Sequence, residues 1–293
     1  MSPAAIPLLL DVPPVRPTDA RSVLDVLARA DVAAVLLRDG AGSPDPAVGG
    51  VDPSVLAGRL TALGGPSVVV EASTGHHAPY NLARRVQSLA RITGGRAGLL
   101  LRPGGIDPLT RASGAVDGPG SFAEYVAVVR ALWSSFPAEA LVGDAASGTF
   151  ADVGLLVPPA FEGATYRVAG ALNVPAAADE QPVLLVEGAR AVPTGAHGVL
   201  VGPDDASPEG AARLVVVSAR AAGHGPDGLL DAVLAAAEQS GDADALVVRV
   251  PASPDSLAPV VDHWLAALHG AGLVTADRDA PLHVTLARKV VHA

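Results

Sequence analysis

The chain has 293 residues, 49% of them hydrophobic and only 3% aromatic, with no cysteine and a formal net charge of −10. That length suits one large barrel or two ordinary domains, and the missing cysteines exclude disulfides, thiolate metal sites and cysteine nucleophiles. The acidic balance argues against a nucleic-acid partner, which would need a basic face to displace counterions, and no uninterrupted apolar window is long enough for a membrane helix.

In chain order, residues 6–10 are the first predicted strand, with no basic stretch ahead of them and Asp11 directly after. A secretory signal is not expected from that pattern, and a cytoplasmic protein is. Thr18 is the expected cap of a helix running to Arg29. Residues 33–37 form the second strand and end at Arg38-Asp39-Gly40. A Gly-, Pro- and Asp-rich loop leads to a helix over 54–63, and 67–70 is the third strand. Residues 81–93 read as an amphipathic helix stopped by Gly94-Gly95, delivered straight into the apolar strand 97–101.

Beyond it, 104–120 reads as a turn-rich insertion and 121–134 as a helix. Residues 137–181 show little periodicity and are expected to leave the regular repeat. Strands follow at 182–186 and 198–201, joined by a connection too short for a full helix, then at 214–217 and 245–250. Helices are expected at 228–239 and 256–269. Apolar runs without alternation fit strands covered on both faces, and their alternation with helices predicts a parallel sheet. Eight strands in a chain of this length predict a (β/α)8 TIM barrel occupying residues 1–293 as a single domain. An open doubly wound sheet is the alternative, but no Gly-x-Gly-x-x-Gly turn or P-loop is present.

The stretch Ala72-Ser73-Thr74, Pro79-Tyr80, Leu82-Ala83-Arg84-Arg85, Leu89 and Gly94-Gly95-Arg96-Ala97-Gly98 carries a resemblance. So, in order, do Leu36-Leu37-Arg38-Asp39-Gly40, Asp52-Pro53, Leu132-Trp133, Asp144 to Phe150, Gly170 to Pro175, Gln181-Pro182-Val183-Leu184 and Thr285-Leu286-Ala287-Arg288. Together they resemble the bacterial luciferase-like flavin-dependent monooxygenases, in the branch of the nitrilotriacetate, dibenzothiophene-sulfone and pristinamycin-type enzymes. The resemblance implies a TIM barrel that uses reduced FMN, delivered by a separate flavin reductase, and O2 to oxygenate a small organic substrate. It also implies a possible homo-oligomer, since many relatives are dimers or tetramers. The alternative is a non-catalytic barrel of the same descent that binds a ligand or serves as a partner protein.

Four positions depart from the family pattern and describe a degenerate flavin site. Glu71 stands where the family has Thr, Leu99-Leu100 where it has Trp-Asn, and Pro119 where it has Tyr. Glu187-Gly188-Ala189-Arg190 replaces its Gln-Ala-Gly and phosphate-binding Ser. The candidate cofactor-binding residues by this resemblance are Asp39, Glu71, Ser73, Arg102, Gly188 and Arg190. Asp39 is either a polar contact to flavin or substrate or a turn residue before Gly40. Arg190 offers a bidentate phosphate contact or a partner for Glu187, and Arg102 is a similar rim candidate. His76 and His77, in the loop after the third strand, are candidate acid–base or substrate-orienting groups, or plain loop histidines. One of Arg84 and Arg85 is expected to reach solvent and the other to pair with an acid. Adjacent histidines without acidic spacing give no metal site.

Overall fold

The computed structural model describes residues 5–41, 51–104, 121–177, 181–188, 192–205, 210–218, 226–239, 243–251, 253–272, 274–276, 278 and 280–286. Eight parallel strands close into a barrel: β1 (Ile6–Val12), β2 (Ala34–Leu37), β3 (Ser67–Ser73), β4 (Ala97–Arg102), β5 (Val183–Glu187), β6 (Gly198–Val201), β7 (Ala212–Ser218) and β8 (Ala245–Arg249). Each pairs with the next, and β8 returns to β1 in the register Leu8↔Leu246 to Asp11↔Arg249. That closure decides between the two expected architectures in favour of the TIM barrel.

Around it pack α1 (Ala20–Leu27), α2 (Pro53–Ala62), α3 (Pro79–Thr93), α4 (Ser121–Ser134) and α5 (Pro226–Gln239). α3 forms as its sequence dictates. Pro79 opens it where a missing N–H costs nothing, and Leu82, Ala83, Val86, Leu89 and Ala90 make one buried stripe. Gly94 ends it in the left-handed conformation at φ 65°. Trp133 of α4 donates its indole N–H to the Ala83 carbonyl at 3.1 Å, locking the two helices together. Gly98 is glycine because a Cβ there would lie 2.9 Å from the Val183 carbonyl oxygen and 3.0 Å from Leu282 Cδ2.

Several boundaries differ from the sequence reading. Asp19, not Thr18, occupies the N-cap of α1, and the Thr18 hydroxyl donates to Asp19 at 3.2 Å instead of capping. β3 runs three residues past Val70, so Glu71 and Ser73 belong to the strand rather than to a loop. The expected helix over 256–269 is α6 (Pro254–Pro259), a π turn (Val260–Trp264) and α7 (Leu265–Gly270). Pro259 cannot donate to the helical ladder, which offers a physical reason for the shift in hydrogen bonding. The expected insertion lies almost wholly in 105–120, outside the described residues. The excursion over 137–181 holds two short antiparallel hairpins, Leu141–Asp144 with Thr149–Ala151 and Phe161–Glu162 with Arg167–Val168.

The barrel interior is a layered apolar core. Leu9, Leu36, Val69, Leu100, Leu185, Leu200, Leu214 and Val247 point inward together. A final short helix, α8 (Leu282–Leu286), closes the N-terminal end with Leu282 and Leu286. Among the described residues no helix is long and apolar enough to cross a membrane.

Candidate functional site at the barrel mouth

Strand parity builds the site. Side chains two residues apart share a face, so the inward row continues from Leu9 to Asp11, Leu36 to Arg38, Val69 to Glu71, Leu100 to Arg102, Leu185 to Glu187 and Val247 to Arg249. The layer at the C-terminal mouth is therefore ionic where the layers below are apolar. Its charges alternate by strand: acid on β1, base after β2, acid on β3, base on β4, acid on β5 and base on β8.

Asp11 is fully buried and receives both Arg38 Nε at 2.7 Å and Arg38 Nη2 at 2.8 Å, a bidentate pair. Arg249 Nε donates to the same carboxylate at 2.8 Å. Arg38 reaches across the mouth to Glu187, with Nη1 on Oε2 and Nη2 on Oε1 at 3.1 Å. Glu71 accepts from Arg102 Nε and, at 3.1 Å, from the backbone N–H of Asp39. Burial pushes the Glu71 carboxyl above its ordinary value despite the opposing guanidiniums of Arg102 and Arg38. Burial works against the Arg38 charge, yet its bonds to Asp11 and Glu187 outweigh that and hold its pKa above the ordinary value.

A second chain of polar contacts leaves this layer sideways. Asp39 Oδ2 lies 3.1 Å from His77 Nε2, and Arg85 Nη2 lies 3.1 Å from His77 Nδ1. A guanidinium only donates, so Nδ1 must accept and the Nε2 proton faces Asp39. Burial would raise the Asp39 carboxyl, but the His77 contact, the Ala41 amide and Arg85 together hold it below the usual range. Arg85 ends on Asp52, whose other oxygen accepts the Ser54 amide at 2.8 Å and caps α2. Arg84 is exposed, so the expected division between the two arginines is found.

Above the charged layer opens a cleft of about 550 Å³, lined by Pro13, Pro14, Asp39, Arg102, Gly188 and Arg249 over the buried acids. Of the candidate residues, Asp39, Glu71, Arg102 and Gly188 meet in this one cleft. His76 and His77 both line a neighbouring depression at the start of α3, beside Asn81 and Arg84, and His77 reaches the cleft only through its contact with Asp39. Ser73 lies outside the cleft lining; its hydroxyl is 3.4 Å from the Gly75 amide, and Gly104 packs against it. Arg190 lies outside the described residues; among the described residues Glu187 pairs with Arg38 and Arg249. Sequence reading missed Asp11, Arg38 and Arg249 as members of the site. The signal was present, since each is a charge placed two residues after an inward-facing apolar residue.

No family model matches the chain. Among solved structures it is similar to a long-chain alkane monooxygenase (TM-score 0.73, 15% identity, 97% of this chain and 96% of that one). It is similar to the EDTA monooxygenase of Chelativorans sp. BNC1 (TM-score 0.72, 18% identity, 96% and 98%). A riboflavin lyase solved with modified FMN and riboflavin gives 0.71 at 16% identity, over 97% and 96%. The fold is that of the luciferase-like flavin monooxygenases. A curated relative of this luciferase-like barrel is one of the subunits of pristinamycin IIA synthase from Streptomyces pristinaespiralis, 33% identical over 111 residues. That match spans 38% of this chain and 36% of the relative's length.

Proposed function

We propose that the chain is a luciferase-like, flavin-dependent monooxygenase that holds its ligands over the charged layer at the barrel mouth. The observation carrying this reading is the cleft, which opens on the face where such barrels place their chemistry. Its volume of about 550 Å³ lies in the range of small-molecule sites. A reduced FMN ring system fits the residues present. Pro13 and Pro14 offer an apolar wall, and Arg102 and Arg249 offer donors for an electronegative ring edge. Arg102 engages Glu71 through Nε, and its Nη1 and Nη2 make no bond among the described residues. Bound there, reduced flavin would supply the oxygen chemistry, with the protein contributing orientation and exclusion of water. The buried acids fix the guanidiniums in place, and Asp39 is held by His77 at the edge of the same cleft. A separate flavin reductase is the proposed source of reduced flavin, and a small organic molecule the proposed substrate.

A second reading has an observation of its own. The six charges of the mouth balance one another without any ligand, and the curated relative is by name a subunit of a synthase. On that reading the barrel binds no flavin and works as a partner protein. Anaerobic titration with reduced FMN, followed by absorbance, separates the two. Saturable binding with O2-dependent turnover supports the monooxygenase and sinks the partner reading. An unchanged spectrum up to about 500 µM flavin, near the weak end of specific ligand affinities, sinks the monooxygenase and supports the partner reading.

A further inference from the structure

The outer side of α3 carries a polar arrangement that the cleft does not use. Asn81, Arg84, Arg85 and Ser88 follow the i, i+3, i+4, i+7 spacing that brings side chains onto one helical face. Together with His76 and His77 they line the depression at the start of that helix, a space of about 570 Å³. Among the described residues no carboxylate lines it, and α3 brings no acid to its first turn. In a chain with 30 acidic residues against 20 arginines and lysines, that is an unusual neighbourhood. The wall of the depression is fixed by bonds of its own. Arg85 is held between Asp52 and His77 Nδ1, the latter at 3.1 Å. The buried Tyr125 donates its hydroxyl to the His77 carbonyl at 2.8 Å, and the Ser88 hydroxyl donates to the Arg84 carbonyl at 2.9 Å. The Arg84 guanidinium, by contrast, makes no hydrogen bond or ion pair among the described residues.

We propose that this depression is a phosphate site, separate from the cleft and independent of whether flavin binds there. Arg84 presents the planar fork of N–H donors that matches phosphate oxygens in pairs. The Asn81 amide, one turn before it on the same face, adds further donors. Arg85 contributes a positive charge whose bonds to Asp52 and His77 keep it in place, so little ordering remains for a ligand to impose. The acids behind the wall do not compete for it. Asp39 is engaged by His77 and the Ala41 amide, and Asp52 by Arg85 and the Ser54 amide. A tetrahedral dianion can take several of these donors at once, whereas a carboxylate takes a pair in one plane. The volume exceeds that of a bare phosphate and lies in the range of small-molecule sites, so there is room for the rest of a small phosphate ester. Free phosphate and the phosphate end of such an ester, a flavin nucleotide included, share this chemistry.

Titration of the full chain with inorganic phosphate at low ionic strength, followed by calorimetry and by NMR, tests the site. Saturable binding with a Kd of about 1 mM or tighter is expected. Arg84→Gln should weaken it about fivefold or more, the effect of one charge-assisted contact at an exposed position, with the far-ultraviolet circular dichroism unchanged. Arg249→Gln in the cleft and Arg21→Gln on the exposed side of α1 should leave the affinity within about twofold. Acetate should bind about fivefold more weakly than phosphate, or worse. A reading that needs no variant is the imidazole signals, which phosphate should shift at His76 and His77 but not at His197, before β6. FMN and glycerol 3-phosphate as competitors separate the sources: displacement by FMN but not by riboflavin assigns the flavin's own phosphate, displacement by glycerol 3-phosphate alone another ester, and displacement by neither the free ion. Each of the three supports the site. No saturable binding up to about 20 mM phosphate overturns it. So does an Arg84→Gln chain that binds as well as the unaltered one, an equal loss in either control variant, acetate bound as tightly, or unmoved His76 and His77 signals. Such a failure beside saturable binding of reduced FMN removes the phosphate site and leaves the flavin reading standing.

Discussion

Replacing Arg38 with Met tests whether the mouth layer is held together as a unit. Arg38 grips Asp11 through Nε and Nη2 and Glu187 through Nη1 and Nη2, and it lies 3.8 Å from Glu71. Its loss leaves Asp11, with no solvent exposure, only Arg249, whose side chain is 44% exposed. Breaking one side of a buried ion pair costs about 3–5 kcal/mol because the remaining charge stays buried. Met fills much of the volume and Arg249 stays in place, so the low end, about 3 kcal/mol, is expected for this site. At about 2–4 °C per kcal/mol, the thermal midpoint should fall by roughly 6–12 °C. Urea unfolding followed by circular dichroism measures the change directly. Adding Asp11→Asn removes the orphaned charge and should restore about 1–2 kcal/mol relative to additivity. A loss below about 1 kcal/mol, or strict additivity of the two changes, would refute a buried lattice whose members depend on one another.

Glu71→Gln addresses the same layer through pH. Burial raises the folded-state pKa of Glu71 above its ordinary 4.5, so the folded protein holds that proton more tightly than the unfolded chain. Its contribution to stability is full below pH 4.5 and declines as pH rises through the raised value. Stability of Glu71→Gln relative to the unaltered chain should therefore improve from pH 4 upward, and a constant offset across that range refutes the assignment. His197 behaves oppositely. Burial first, then Arg130, pushes it down to about 4, with Nδ1 accepting the Leu184 amide at 2.9 Å. The stability it contributes is present above pH 6.5 and is lost as pH falls toward 4, by about 1–3 kcal/mol once partial exposure is allowed for. His197→Asn keeps an acceptor and should flatten that acid limb; an unchanged limb in urea titrations rules the account out. Gly98→Ala sets a methyl against the β5 backbone and α8, and should cost about 1–3 kcal/mol in the same assay.

The fold was legible because buried parallel strands write themselves as unbroken apolar runs, such as residues 97–101 and 245–250. The stop of α3 at Gly94 was legible too, as was the split of Arg84 and Arg85 between solvent and an acid, though not which arginine would pair. The mouth was legible only in part. Glu71 appeared as an intrusive charge near a cofactor, and its burial between Arg102 and the Asp39 amide depends on β3 continuing to Ser73. Asp11, Arg38 and Arg249 were hidden by distance along the chain, because their partnership needs the closure of β8 on β1. The exposure of the segment 142–160 was hidden for another reason. Val142, Phe150, Val153 and Val157 have no period that separates exposed from buried, so hydrophobicity alone does not place them in solvent.

Asp11 and its second arginine stand 238 residues apart in sequence. At a synthesis rate of about 5–20 residues per second, Asp11 waits roughly 10–50 s for Arg249 to be made. Until then β1 has no partner on one edge, and its inward row, Leu9 and Asp11 included, faces water rather than a closed interior. The nascent chain is thus an open sheet with a bare parallel edge, the kind of intermediate that sticks to its neighbours. Truncation before residue 245 should leave the chain in that state for good, which makes C-terminal completeness a condition for solubility and not only for shape.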